Sequence, residues 1–153
     1  MEFSIEIPLL NSTAATDLGA RLAPLLRRGD VICLIGGLGA GKTTLARGLI
    51  QALIGPEEEA PSPTFTLVQT YDAPDFTIWH FDLYRLEGPE DVLELGWEDA
   101  VETGAVLVEW PDRLGSYYPE KRLEIALMAR DEGRAATLNG SVDWTDRLKT
   151  LAP

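Results

Sequence analysis

Val31-Ile-Cys-Leu-Ile-Gly-Gly-Leu-Gly-Ala-Gly-Lys-Thr-Thr44 decides the fold: an apolar run, a glycine-rich turn, then the start of a helix. Gly36, Gly41, Lys42 and Thr43 fall on the phosphate-binding pattern G-x-x-x-x-G-K-[ST]. Val31 to Ile35 reads as a buried strand and the residues after the turn as an amphipathic helix, which is the context the pattern requires. Glycines let the backbone curl until several N–H groups face one concavity, and the helix N-terminus adds partial positive charge. The loop Gly36, Gly37, Leu38, Gly39, Ala40, Gly41, Lys42, Thr43 and Thr44 is therefore read as a cradle for nucleoside phosphates. Lys42 is expected to reach the β- and γ-phosphates and the Thr43 hydroxyl to ligate Mg²⁺. A turn kept only for tight packing needs the glycines but neither the lysine nor the threonine.

On the N-terminal side, Glu2 to Pro8 alternates apolar and polar, predicting a short edge strand stopped by proline. Asn11, Ser12 and Thr13 offer N-caps for a helix running to about Arg27, with Leu18, Leu22, Leu25 and Leu26 inward and Pro24 kinking or interrupting it. After the loop, Leu45, Leu49 and Leu53 with Ala46, Ile50 and Ile54 form two ridges of a helix ended by Gly55-Pro56. Ala60 to Phe65, with two prolines, reads as an extended, exposed loop. Strands are expected at Thr66 to Tyr71 and Thr77 to Asp82, antiparallel because their connection is so short. Pro89 to Leu95 reads as a short helix and Ala105 to Glu109 as an apolar strand ended by Trp110-Pro111. Arg122 to Ala129 and Ala135 to Leu138 read as a hairpin around Asp131-Glu132-Gly133. Trp144 to Leu151 reads as a terminal helix or a frayed tail.

With 153 residues, 45% apolar and 25% charged, the sequence suits one globular domain over 1–153. No window approaches the length of a membrane span and no charged-then-apolar leader opens it, so a cytoplasmic protein without membrane contact is expected. The lone cysteine, Cys33, lies in the apolar strand, where a buried thiol is expected, and one His with one Cys leaves no zinc site by count. Twenty-five acids against thirteen Lys and Arg give a net charge of −12, which argues against extensive direct contact with nucleic-acid phosphates.

Hydrolysis needs a carboxylate beside the metal, and in α/β sheets such groups stand at the carboxyl ends of neighbouring strands. Asp82 and Glu109 each follow an apolar strand directly, and both are assigned to flank Mg²⁺ as catalytic and metal-binding acids with Lys42 and Thr43. Spacing does not order the two. His80 points to the face of Asp82 and reads first as a packed strand histidine. Arg85 reads as an exposed salt-bridge partner before an internal arginine finger. Trp110 reads equally as a ring beside the nucleotide and as plain core. Ser62 and Thr64 are candidates for a loop that senses the γ-phosphate. A guanine site usually brings an [NT]-K-x-D segment; none occurs, so ATP is the expected nucleotide. A small-molecule kinase is the enzymatic alternative, disfavoured by the acidic run after Asp82, and a nucleotide-gated scaffold with negligible hydrolysis is the other.

Together, Leu38-Gly-Ala-Gly-Lys-Thr-Thr44, Ser62-Pro-Thr-Phe65, His80-Phe-Asp-Leu-Tyr-Arg85 and Glu109-Trp110-Pro111 resemble the TsaE (YjeE) family, small bacterial P-loop ATPases of tRNA threonylcarbamoyladenosine synthesis. The resemblance covers nearly the whole chain. It implies an α/β, three-layer P-loop NTPase fold whose central, mostly parallel sheet has antiparallel strands at its margins. It also implies a weak intrinsic Mg²⁺-dependent ATPase that acts on TsaD and TsaB to permit repeated turnover and meets tRNA only through that complex. By the same resemblance Ser62 to Phe65 is the switch-like loop. Family members commonly carry Asp where this chain has Gly37, which leaves phosphate binding intact and puts any control exerted from that position in doubt.

Overall fold

Strand β2 (Val31–Ile35) is the middle of one seven-stranded sheet. The computed structural model describes residues 3–131 and 133–151. The other strands are β1 (Phe3–Leu9), β3 (Val68–Asp72), β4 (Thr77–Asp82), β5 (Ala105–Glu109), β6 (Leu123–Ala129) and β7 (Arg134–Gly140). Their spatial order is β1-β7-β6-β2-β5-β4-β3. β6, β2, β5 and β4 run parallel, while β1, β7 and β3 pair antiparallel at the two margins. This is the α/β architecture expected from the family resemblance.

Each face of the sheet carries its own core because successive side chains point to opposite sides. Ile32 and Leu34 of β2 pack with Leu18 and Leu22 of α1 (Ala14–Leu22) and with Leu45 and Leu49 of α2 (Lys42–Ile54). Val31 and Cys33 pack on the other face with Phe81, Leu114 and Trp97, the first residue of α3 (Trp97–Thr103). Helices α1 and α2 meet backbone to backbone. A Cβ on Gly19 would lie 2.1 Å from the Leu45 carbonyl oxygen, and one on Gly48 would lie 2.3 Å from that of Thr16.

Several boundaries differ from expectation for local physical reasons. Pro8 does not stop β1; it pairs opposite Ala135 inside the strand. β1 is a sheet edge, where a missing N–H leaves no partner unsatisfied. Glu2, expected to open this strand, lies outside the described residues. Helix α1 ends at Leu22, and residues Ala23–Leu25 tighten to 3-10 geometry around Pro24 instead of continuing to Arg27. Leu18, Leu22 and Leu26 are buried as expected, Leu25 only half so.

β3 begins at Val68 because Leu67 takes a left-handed conformation, φ 70°, and its N–H closes a turn onto the Pro63 carbonyl at 2.7 Å. The preceding loop is consequently less exposed than its prolines suggest: Ala60 and Pro63 are buried. Pro89–Leu95 is a 3-10 helix, and α3, which the sequence did not announce, follows from Gly96. The β6–β7 hairpin forms as expected, though Glu132 of its turn lies outside the described residues.

The C-terminal stretch is packed, not frayed. Trp144 and Leu148, the latter on α4 (Thr145–Lys149), are buried. Arg147 of α4 makes a two-pronged ion pair with buried Asp30 at the entry to β2, with contacts of 2.7 and 3.1 Å. Among the described residues, no helix is long and apolar enough to cross a membrane.

Candidate active site

The phosphate loop takes its shape from glycines where other residues would collide or strain. Gly36 sits at φ 155°, and a Cβ there would lie 2.9 Å from the Leu127 carbonyl oxygen. Gly41 caps α2 at φ 105°, a conformation that costs other residues a steric clash. Gly37 has open space around a would-be Cβ and no left-handed φ, so the backbone itself does not demand glycine there. Lys42 opens α2 and folds back, donating from Nζ to the Gly36 carbonyl at 2.6 Å. Its ammonium also lies 3.6 Å from the centroid of the Trp110 ring. Burial first, offset by Glu109 and Asp82, holds the Lys42 pKa below the ordinary lysine value.

The two acids stand side by side because β4 and β5 are parallel neighbours in a register that pairs Asp82 with Glu109. Glu109 ends β5 next to β2, and both its oxygens accept from the Thr43 hydroxyl, at 2.9 and 3.1 Å. The spacing argument from strand ends therefore brings Lys42, Thr43, Asp82 and Glu109 together. Ser62 and Thr64 join them: Thr64 donates to Asp82 Oδ2 at 3.1 Å, and Ser62 lies 2.7 Å from the Thr64 hydroxyl. Thr64 has one proton, committed to Asp82, so Ser62 is the donor between them. The backbone N–H of Tyr84 completes Asp82 at 3.1 Å.

His80 is fully buried, as a packed strand histidine should be, yet its Nε2 lies 2.8 Å from Glu109 Oε2. A carboxylate only accepts, so the proton resides on Nε2, and buried Nδ1 has no partner among the described residues. Arg85 makes no ion pair among the described residues. It is exposed and stacks over the Phe65 ring at 4.7 Å, because both residues project from adjoining loops into solvent. Trp110, in left-handed conformation at φ 58°, is half-buried at the rim beside Lys42 and Tyr84.

Ser62, Thr64, Asp82, Glu109, Trp110 and Arg134 surround a cleft of about 240 Å³ floored by the loop. Thr43, Asp82 and Glu109 present hard oxygen donors, the set that Mg²⁺ takes while keeping several waters. Three residues of the cleft, Gly41, Thr44 and Arg134, also line an adjoining pocket of about 330 Å³ that includes Asn11 and Ser12. Arg134 bridges the two spaces and donates to the Ala40 carbonyl at 3.0 Å. The sequence reading missed Arg134 because only the pairing of β7 with β6, beside β2, carries it to the loop. It offered Asn11 only as an N-cap beside Ser12 and Thr13; Thr13 takes that position with no side-chain cap bond, and Asn11 Oδ1 instead accepts from the Thr13 N–H at 3.1 Å in the turn before it.

Comparison with known proteins gives the family and the fold. A family model described as "Threonylcarbamoyl adenosine biosynthesis protein TsaE" matches residues 9–136. The "tRNA threonylcarbamoyladenosine biosynthesis protein TsaE" of Rickettsia conorii is 41% identical over 126 residues, covering 82% of this chain and 72% of that one. The protein of the same name from Nostoc sp. is 41% identical over 133 residues, covering 84% and 80%. The crystal structure of Bacillus subtilus YdiB superposes with a TM-score of 0.75 at 26% identity, covering 99% of this chain and 95% of that one. The loop, the paired strand-end acids and the matched residues lead to one conclusion: the chain belongs to the TsaE family of tRNA threonylcarbamoyladenosine biosynthesis.

Proposed function

We propose that this chain binds ATP with Mg²⁺, hydrolyses it slowly alone, and uses that hydrolysis to let a TsaB–TsaD complex turn over repeatedly. The observation that carries the reading is the bond from Thr43 to Glu109, with Asp82 in register beside it. It joins the first turn of the phosphate-loop helix to the acid at the end of the neighbouring strand.

Thr43, Asp82 and Glu109 would hold Mg²⁺, which supplies charge neutralisation for the phosphates when bound. Lys42, which donates to the Gly36 carbonyl and lies over the Trp110 ring, would meet the β- and γ-phosphate oxygens. On this reading Glu109, which His80 steadies, would orient an attacking water and accept its proton. Thr64 and Ser62 tie the 60–67 loop to Asp82, so the loop can respond to what occupies the cleft. The adjoining pocket bounded by Asn11, Thr44 and Arg134 is the natural place for ribose and base. With a net charge of −12, the chain meets tRNA through its partners. Cytoplasmic residence follows from that role.

The test is phosphate release measured with and without TsaB and TsaD. Stimulation by the partners, lost in Lys42→Ala and Glu109→Ala, is expected; full release retained in both variants sinks the ATPase reading. Transfer of the phosphoryl group to a small acceptor in place of water would instead establish a kinase. For the tRNA role, depletion of the protein in its source cell should lower threonylcarbamoyladenosine in bulk tRNA, and an unchanged level removes it.

A further inference from the structure

Thr43, Arg47 and Gln51 recur at four-residue spacing along α2 and so share one face of that helix. Each bonds to a different segment. The Thr43 hydroxyl meets Glu109, the Arg47 Nε donates to the Ala60 carbonyl at 3.2 Å, and the Gln51 amide donates to the Glu58 carbonyl at 2.9 Å. The 60–67 loop needs donors from elsewhere, because Pro61 and Pro63 have no N–H. Among the described residues, Leu67 is the only one of that loop whose N–H donates to a backbone carbonyl. Ala60 is 1% exposed and left-handed at φ 43°, a conformation alanine seldom adopts unless its surroundings hold it. Half-buried Arg47 makes no ion pair and no other hydrogen bond among the described residues, so the Ala60 carbonyl is its one partner.

From Ala60 the chain runs to Thr64, whose hydroxyl donates to Asp82 Oδ2 at 3.1 Å. It rejoins the sheet at Leu67, whose carbonyl accepts the Asp82 N–H at 2.9 Å. The loop therefore meets Asp82 at both side chain and main chain, while its other end hangs on Arg47. Helix α2 is a firm support for that end, since its main chain packs directly against α1. We infer that Arg47 is a positioning residue for the nucleotide site. By fixing Ala60 relative to Thr43, one turn away on the same helix, it brings Thr64 within reach of Asp82. Arg47 does not line the cleft, so it acts through the loop and not on the ligand. Its effect on hydrolysis rests on the ATPase reading above.

Arg47→Met keeps the apolar stem and removes the donor, and Arg47→Lys restores one. In the full chain carrying Arg47→Met, the Leu67 and Asp82 N–H groups should exchange with solvent about 10-fold faster or more, while those of β2 keep their rates. ADP affinity measured in EDTA should stay within about 2-fold of the parent, because the loop and not the phosphate cradle has been released. Phosphate release in the presence of TsaB and TsaD should fall by about 10-fold, and Arg47→Lys should recover part of both the exchange protection and the release. The double variant Arg47→Met, Thr64→Val should release phosphate no more slowly than Thr64→Val alone, since Arg47 acts through Thr64. Losses that multiply in the double variant overturn the assignment. So does unchanged exchange at Leu67 and Asp82, or ADP affinity that falls in step with phosphate release, which would reduce Arg47 to general support of the fold. If the parent protein releases no phosphate with its partners, the ATPase reading fails by itself. The exchange arm then decides on Arg47: faster exchange confined to Leu67 and Asp82 keeps it as the anchor of the loop, and unchanged exchange removes it.

Discussion

His80 Nε2 lies 2.8 Å from Glu109 Oε2, and both side chains are buried beneath the cleft. The same oxygen accepts the Thr43 hydroxyl at 2.9 Å, so two donors from different elements fix one carboxylate. His80→Leu removes the donor that does not have to face a ligand. Loss of such a supporting partner should lower partner-stimulated phosphate release by about 10-fold or more. His80→Gln, which keeps an N–H donor, should recover part of it; equal loss in both variants would mean that the ring matters only as packing.

Lys42→Ala and Thr43→Val should separate two functions of the loop. Lys42→Ala should weaken nucleotide binding with or without Mg²⁺, while Thr43→Val should abolish the gain in affinity that Mg²⁺ brings. Calorimetric titration with ADP, with and without excess EDTA, reads both. Neither change should lower thermal stability much, because among the described residues the Lys42 ammonium meets only a loop carbonyl and the half-buried Trp110 ring, and the Thr43 hydroxyl only Glu109.

Arg147 and Asp30 form a buried pair that ties α4 to the entry of β2. Arg147→Met leaves a buried carboxylate whose remaining donor is the Arg27 N–H at 2.6 Å. Removing one partner of such a pair should cost about 3–5 kcal/mol in urea unfolding. The double variant Arg147→Met, Asp30→Asn should recover part of that cost, and additive losses would show that the two residues act separately.

Gly48→Ala should destabilise far more than a helix-propensity scale suggests, since its Cβ would lie 2.3 Å from the Thr16 carbonyl oxygen. Forcing the helices apart should cost about 1–3 kcal/mol against the small gain that alanine normally brings to a helix. Gly37→Asp meets open space and should change stability by less than about 0.5 kcal/mol. Chemical denaturation of the two variants side by side makes the comparison.

Cys33 should resist modification in the native state. Burial pushes its thiol up to about 12, so almost no thiolate exists at pH 8 and a disulfide reagent finds no access. Labelling is expected only after denaturant is added; rapid native labelling would show that β2 opens.

The parts of the molecule that were legible from residues alone are those in which a local pattern coincides with a local requirement. The Val31–Thr44 unit carries strand, turn and helix in one continuous stretch, and Asp82 and Glu109 are the first acids after apolar runs. Pro8 misled because edge position, which decides whether a strand tolerates proline, is a property of the sheet. Leu67 misled because a residue of high strand propensity was drawn into a left-handed turn by the loop that ties Thr64 to Asp82. Arg134 and Asn11 were silent for another reason: both lie far in sequence from the phosphate loop they flank. They reach the loop only when the C-terminal hairpin and the first strand assemble beside it.

The contact of Gly19 with Gly48's helix has a mechanical consequence. With α1 and α2 locked through their main chains, and α2 growing directly from the loop that would grip phosphate, that side of the sheet behaves as a fixed jaw. Across the cleft the 60–67 loop and Trp110 have no such lock, and the three non-glycine residues held in left-handed conformation among the described residues, Ala60, Leu67 and Trp110, all lie on that side.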